Sequence, residues 1–239
     1  MKDPILITGC ARSGTSMTSG VIDIGGAFGG NTAGPNKNNK RGMFENLDIR
    51  NGLVKPFLRS INADPLGQNP LPDMDIVKER MSIHFVTKWA NQVKATMYRH
   101  GYHEGEWYYK GAKMCLIWPL WHAAFPDAKW IIVRRDGQDI INSCLKTGFM
   151  RAYTNVEGWR SWVTHHHRCF NEMLKEGLNV RQIWPQDMID GDLRPMRSCI
   201  SDFLGLEWRE QQVLNFIMPA LWSNVKRKRK HGTGQHLRG

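Results

Sequence analysis

Apolar residues along this chain recur in two rhythms. Short β-branched runs alternate with longer stretches in which apolar residues return every three or four positions. Residues 4–8 form a brief apolar run closed by glycine, which predicts a buried strand. Residues 9–14 follow as a tight loop, and 16–24 carry Met17, Val21 and Ile24 at helical spacing. Residues 75–100 predict one long helix, with Ile76, Met81, Phe85, Trp89, Val93 and Met97 on a single face. Strands are expected at 106–114, 130–134 and 180–184, and helices at 120–125, 139–146, 156–176, 196–204 and 210–217. In 156–176 the stripe is Trp159, Trp162, Val163, His166, Phe170, Met173 and Leu174. Strands alternating with helices predict an α/β fold with a central, mostly parallel sheet covered on both faces.

Two stretches interrupt the pattern. Residues 25–42 hold six glycines and four asparagines and are expected to be a flexible loop. Residues 64–73 hold three prolines. These stretches, with the rest of 56–75, are expected to shape an acceptor cleft. One domain spanning 1–225 accounts for the chain, followed by a basic tail, 226–239, either disordered or closing over a bound ligand. Apolar residues make up 41% and charged residues 23%, so the chain can pack a core. No run of about 18 apolar residues exists, so no spanning helix is expected.

Charge narrows the chemistry. The net formal charge is +11, and removing Lys226 to Lys230 still leaves +6. Such a field attracts nucleotides, sulfated or phosphorylated molecules, nucleic acid or acidic lipid. Five scattered cysteines, with no CxxC pair, fit neither a disulfide framework nor a zinc site. With no signal-peptide pattern at the start, a reducing, cytoplasmic compartment is the expectation.

The most informative segment is Gly9-Cys10-Ala11-Arg12-Ser13-Gly14-Thr15-Ser16. It matches the nucleotide loop GxxxxGK[ST] except that Thr15 stands where lysine is required. Backbone amides of such a loop, with the helix end behind it, cradle phosphate oxygens. The missing lysine argues against an ATPase or GTPase, and Arg12 is the cation present instead. The plain alternative is a glycine turn ahead of a helix.

The segment Arg12-Ser13-Gly14-Thr15-Ser16 resembles the 5′-phosphosulfate loop of sulfotransferases that use 3′-phosphoadenosine 5′-phosphosulfate, in the arginine branch seen in protein-tyrosine and many bacterial members. A second family signature is a strand ending in arginine with a serine eight residues on. Trp130-Ile131-Ile132-Val133-Arg134-Arg135 followed by Ser143 is similar to it, although Gly137 stands where the family has proline. The resemblance implies a P-loop NTPase-like three-layer sandwich. It implies that residues Arg12, Ser13, Gly14, Thr15 and Ser16 hold the 5′-phosphosulfate, and that Arg135 and Ser143 hold the 3′-phosphate, with no metal required. A planar guanidinium and a hydroxyl suit one phosphate. Arg134 is the alternative by a one-residue slip.

Sulfuryl transfer needs a base near the acceptor oxygen. The segment Gly42-Met43-Phe44-Glu45 resembles a stretch of bacterial members, and Glu45 is the candidate base, with Asp48 and His122 in reserve. The competing reading pairs Glu45 with Arg41 or Lys40. The run Lys110-Gly111-Ala112-Lys113 resembles the family's Lys-Asp-Pro-Arg segment with both cations kept, and Lys110 is a candidate for stabilising charge on the transferred group. The acceptor is expected to be a small molecule, carbohydrate or lipid; nucleic acid is not an obligate partner. Pro119-Leu120-Trp121, Phe125-Pro126-Asp127-Ala128 and Ser201-Asp202-Phe203-Leu204-Gly205-Leu206 extend the likeness along the chain. Arg229-Lys230-His231-Gly232 loosely resembles the family's closing segment.

Other features carry less. Three consecutive helical histidines, His165 to His167, point about 100° apart and do not share an ion; they read as a core histidine with two surface neighbours. Most tryptophans sit on apolar stripes, while Trp107, Trp118 and Trp222 lie off them and are candidates for a pocket wall. A P-loop kinase of small molecules or nucleosides and a basic nucleic-acid-binding module are the rival readings.

Overall fold

The computed structural model describes residues 1–36 and 39–222. The basic run Lys226 to Lys230, the rest of the 226–239 tail and the Arg229–Gly232 segment lie outside the described residues.

Four parallel strands form the centre: β1 (Ile5–Gly9), β2 (Tyr108–Lys110), β3 (Lys129–Val133) and β4 (Val180–Ile183), in the order β2-β1-β3-β4. Ile5 pairs with Tyr108 on one side and with Lys129 on the other. Helices in chain order are α1 (Thr15–Ile24), α2 (Lys55–Ser60), α3 (Met74–Glu79), α4 (Ile83–Arg99), α5 (Trp118–Ala124), α6 (Gly137–Leu145), α7 (Val156–Lys175), α8 (Pro185–Ile189), α9 (Arg194–Ser198) and α10 (Glu210–Phe216). No described helix is long and apolar enough to cross a membrane.

The strands alternate their side chains between two cores, as the pleat requires. Leu6, Trp130 and Ile132 face a core built with α4 to α7, including Trp89, Trp121, Trp159 and Phe170. Ile5, Ile7, Ile131 and Val133 face a second core with Val21, Met196, Ile200 and Val213 from the α1, α9 and α10 side. The result is a three-layer α/β sandwich in which β1 to β3 are buried on both faces while the edge strand β4 exposes Arg181 and Gln182. Chain order reverses between β1 and β3, and the crevice beyond the strand ends at such a switch point is where open α/β sheets take ligands.

Several expectations need correction. The helix expected over 75–100 is two, α3 and α4. The break falls at residues 80–82, where the Ser82 hydroxyl accepts from the Phe85 amide and starts a new helix. The strand expected over 106–114 keeps only Tyr108–Lys110; the chain then turns, with Gly111 N donating to Ile7 O, into a tight helical turn at Met114–Ile117. The helix expected over 196–204 is α9 followed by a wider turn, Cys199–Leu204. Within 25–42, which was expected to be loose, the described residues 28 and 32 are pinned. Phe28 bridges to Trp107 beside β2, and Thr32 bridges to Asn46. The chain over 47–60 is helical throughout, which the sequence reading missed; the Asn46 side chain caps it by accepting from Ile49 N.

Candidate functional site

The loop after β1 is fixed by close packing. A Cβ on Gly9 would lie 2.6 Å from Val133 O, so only glycine lets β1 and β3 approach this closely. Arg12 has φ 73° and Gly14 φ 96°, two left-handed residues that turn the chain so that α1 starts with its first amides aimed into the crevice. The hydroxyl of Ser13 is fully buried with no hydrogen-bond partner. First-turn amides without helical partners suit an oxyanion, whereas the Ser13 hydroxyl packs against Gly9 and does not line the cavity.

The strand-end arginine meets this loop directly. Arg135 Nη1 donates to Arg12 O at 2.7 Å, and Arg12 Nε donates to Ser143 Oγ at 3.0 Å. Ser143 sits on α6, which Asp136 caps by accepting from Gln138 N and Asp139 N. Gly137 at the family's proline position leaves that cap intact. Arg12, Arg135 and Ser143 are thus brought together, with the serine bonded to Arg12 and not to Arg135. Ser143 itself does not line the cavity. Burial pulls the pKa of both guanidinium groups down, yet arginine stays charged. Arg134 points elsewhere, its guanidinium 5.3 Å from the Phe170 ring centre, which removes the one-residue slip.

A cavity of about 720 Å³ opens in front of the loop. Its described lining carries eight cations, Arg12, Lys40, Arg41, Arg50, Lys55, Lys110, Lys113 and Arg135, against one carboxylate, Glu45. That imbalance gives the cavity a positive field, which attracts anions. Lys110 is buried at the end of β2, and Lys113 follows three residues on. Burial lowers the Lys110 pKa, partly countered by the charge of Glu45.

Glu45 is 4% exposed, and its Oε2 accepts from Arg50 Nη1 at 3.3 Å. Lys113 Nζ lies 3.8 Å from Oε1, an oxygen that accepts no hydrogen bond. Burial alone would raise this carboxyl, but Lys113, Lys110 and Arg50 together hold it below the usual carboxylate range. Its partners are therefore Arg50 and Lys113, not Arg41 or Lys40. Arg41 instead donates to Asn215 O at 2.8 Å, and the Ser16 hydroxyl donates to Met43 O at 3.3 Å, so residues 41–43 are tied to α1 and α10. The reserve bases lie off the cavity: Asp48 is exposed and bonded to His100 Nε2 at 2.9 Å, and His122 is not among the lining residues.

Of the three tryptophans, Trp107 and Trp118 are core residues, a correction. Trp222 does line the cavity. The Arg135 guanidinium sits 4.4 Å from its ring centre, and its indole Nε1 donates to Gln186 Oε1 at 2.7 Å. His166 is buried, with Nδ1 2.9 Å from Trp162 O, and burial pushes its imidazole down to about 3. His165 and His167 are half-buried, so this part of α7 is packing. The sequence reading missed Arg50, Lys55 and Phe149 as lining residues, while Leu66 and Gln68 fall in the 56–75 segment expected to shape the cleft. Arg50 and Lys55 sit in the unanticipated helical stretch, where the spacing of Ile49, Val54, Phe57 and Leu58 was the available signal.

No family model matches the chain, and no curated protein matches its sequence. Among solved structures, it is similar to the sulfotransferase STF1 from Mycobacterium tuberculosis H37Rv, at 15% identity and a TM-score of 0.48, covering 90% of this chain and 71% of that one.

Proposed function

We propose that this protein is a sulfotransferase that takes 3′-phosphoadenosine 5′-phosphosulfate as donor. The observation that carries the reading is the 2.7 Å bond between Arg135 and the backbone of the Arg12–Ser16 loop, at the edge of a cavity rich in cations. Two anion-binding elements far apart in sequence thus serve one ligand with charge at both ends. The residues fit such a donor, because Arg12, Gly14, Thr15 and Ser16 line the cavity at the start of α1, where first-turn amides lack helical partners.

In this reading the loop amides, with Arg12, Thr15 and Ser16, hold the 5′-phosphosulfate. Arg135 holds the 3′-phosphate end, and Ser143 positions Arg12 by accepting from its Nε. The donor, when bound, supplies an activated sulfuryl group. Lys110 and Lys113 neutralise the negative charge that spreads over that group, an effect strongest in a preorganised, dry site. Glu45 accepts the acceptor's proton through the oxygen that takes no hydrogen bond. A donor that draws Lys110 and Lys113 toward itself leaves Glu45 more basic, which suits it to that step. The pattern Val133-Arg134-Arg135 puts cations where a P-loop kinase would use a strand-end carboxylate.

Calorimetry tests the reading. Adenosine 3′,5′-bisphosphate should bind without added metal and raise the unfolding temperature. Stabilisation by ATP with Mg²⁺ alone would mean a kinase. Duplex or single-stranded binding with a steep salt dependence, not displaced by the bisphosphate, would mean a nucleic-acid module. Given bisphosphate binding, labelled donor and an acceptor screen identify the reaction.

A further inference from the structure

The cavity has more positive charge and more exposed apolar surface than the donor uses. A 3′-phosphate plus a 5′-phosphosulfate brings roughly four negative charges. Arg12, Arg135, Lys110 and Lys113 answer those, while Arg50 and Glu45 answer one another. Lys40, Arg41 and Lys55 remain; Arg41 donates to Asn215 O, and Lys55 is the one in electrostatic reach of Glu45. Lys55 is half-buried, lines the cavity, and its side chain makes no hydrogen bond or ion pair among the described residues. Its neighbours in electrostatic reach are Arg50, Lys113, Arg59 and Glu45. Burial and the three cations lower its pKa against the pull of Glu45, the state of a cation short of an anion.

Apolar surface lies on the same side. Ten large hydrophobic side chains are exposed among the described residues, and four of them line this one cavity: Leu66, Phe149, Met218 and Leu221. Leu66 and Phe149 belong to one built rim. Buried Gln68 donates from Nε2 to Phe149 O at 2.8 Å and accepts from Arg151 N and Ala152 N at 2.8 and 3.1 Å. Its amide is thus spent on holding the rim and offers little to a ligand. The rim adjoins the base: a Cβ on Gly67 would lie 2.8 Å from Lys113 Cγ, and Lys113 faces Glu45. An apolar edge, the base and an unanswered cation thus stand side by side.

Resting on the donor reading above, we infer that the acceptor is an anionic amphiphile: a hydroxylated molecule whose apolar body lies on Leu66 and Phe149 and whose own acidic group pairs with Lys55. Apolar surface left open at a cavity mouth marks a ligand contact, and a desolvated lysine selects for an anion.

The test uses the full chain saturated with adenosine 3′,5′-bisphosphate, titrated by calorimetry with three probes. These are 10-hydroxydecanoate (apolar and acidic), 1,10-decanediol (apolar and neutral) and gluconate (acidic and polar). The expected order places 10-hydroxydecanoate tightest. Lys55→Gln should weaken it about fivefold while leaving the diol and the bisphosphate unchanged. Leu66→Ser should weaken 10-hydroxydecanoate and the diol about three- to tenfold and spare gluconate. Gluconate binding as tightly as 10-hydroxydecanoate, no probe binding at millimolar concentration, or Lys55→Gln affecting all probes alike would each overturn the inference. Failure of the bisphosphate itself to bind would instead overturn the donor reading.

Discussion

Replacing Arg135 by alanine tests the geometry most directly. The side chain is 6% exposed and does two things at once. It supplies a planar cation at the end of β3, and its 2.7 Å bond to Arg12 O holds the loop backbone in place. A hydrogen bond to a charged partner is worth about 1.5–3 kcal/mol. Losing one such contact to a phosphate should weaken adenosine 3′,5′-bisphosphate by about ten- to 150-fold. Loosening the loop adds to that loss, because the Arg12 carbonyl is left without its donor. The measurement is calorimetric titration of the bisphosphate without metal, on the parent chain, Arg135→Ala and Arg135→Lys. Lysine keeps the charge but not the fork, so it should recover only part of the affinity. Arg134→Ala is the control; its guanidinium lies over Phe170, so it should lower stability and leave affinity near the parent value. Affinity in Arg135→Ala within twofold of the parent, or a larger loss in Arg134→Ala, refutes the assignment.

Glu45→Gln should abolish turnover and leave bisphosphate affinity equal or slightly higher, since one negative charge leaves the cavity; full activity in a labelled-donor assay would remove Glu45 as the base. Gly14→Ala should cost about 1–2 kcal/mol for its left-handed φ of 96°, with a further penalty from a Cβ 2.8 Å from the Trp222 ring; urea unfolding reads this, and parent-like stability contradicts the loop geometry. His166, buried and held down to about 3, stays neutral in the fold while the unfolded chain takes a proton near 6.5. Its contribution is therefore fully present above pH 6.5 and falls on acidification towards about pH 3, by about 1.4 kcal/mol per pH unit. His166→Gln should flatten that part of the stability profile, and an unchanged acid slope in thermal unfolding would contradict it.

How much of this was legible in the sequence depends on how local the cause is. The loop at 9–16 was legible because its constraint is local: glycines, a strand before and a helix after. Arg135 was legible because β3 is short and its apolar run stops at the arginines. The extent of β2 was not, because Gly111 leaves the strand through a bond to Ile7, a residue more than a hundred positions away. The break between α3 and α4 was available in Ser82, a capping hydroxyl, but the apolar stripe runs through it and hides it. The helical stretch at 47–60 was obscured by Pro56, which follows directly on a wider turn where Lys55 N donates to Arg50 O, five residues back. Trp107 and Trp118 looked idle only because their cores are assembled from distant elements. The surroundings of Glu45 were unreadable for the same reason, since Arg50, Lys110 and Lys113 converge on it from separate segments.

The bond between Arg12 and Ser143 has a consequence for selectivity. Arg12 commits only Nε to the Ser143 hydroxyl, and its carbonyl takes the Arg135 guanidinium. Under the proposed function, an incoming anion must compete with these contacts. Chloride or bicarbonate brings one charge and little to replace them with. A doubly charged oxyanion presents several acceptors at once and gains where the monovalent ion merely trades, so the pairing should favour the more highly charged guest.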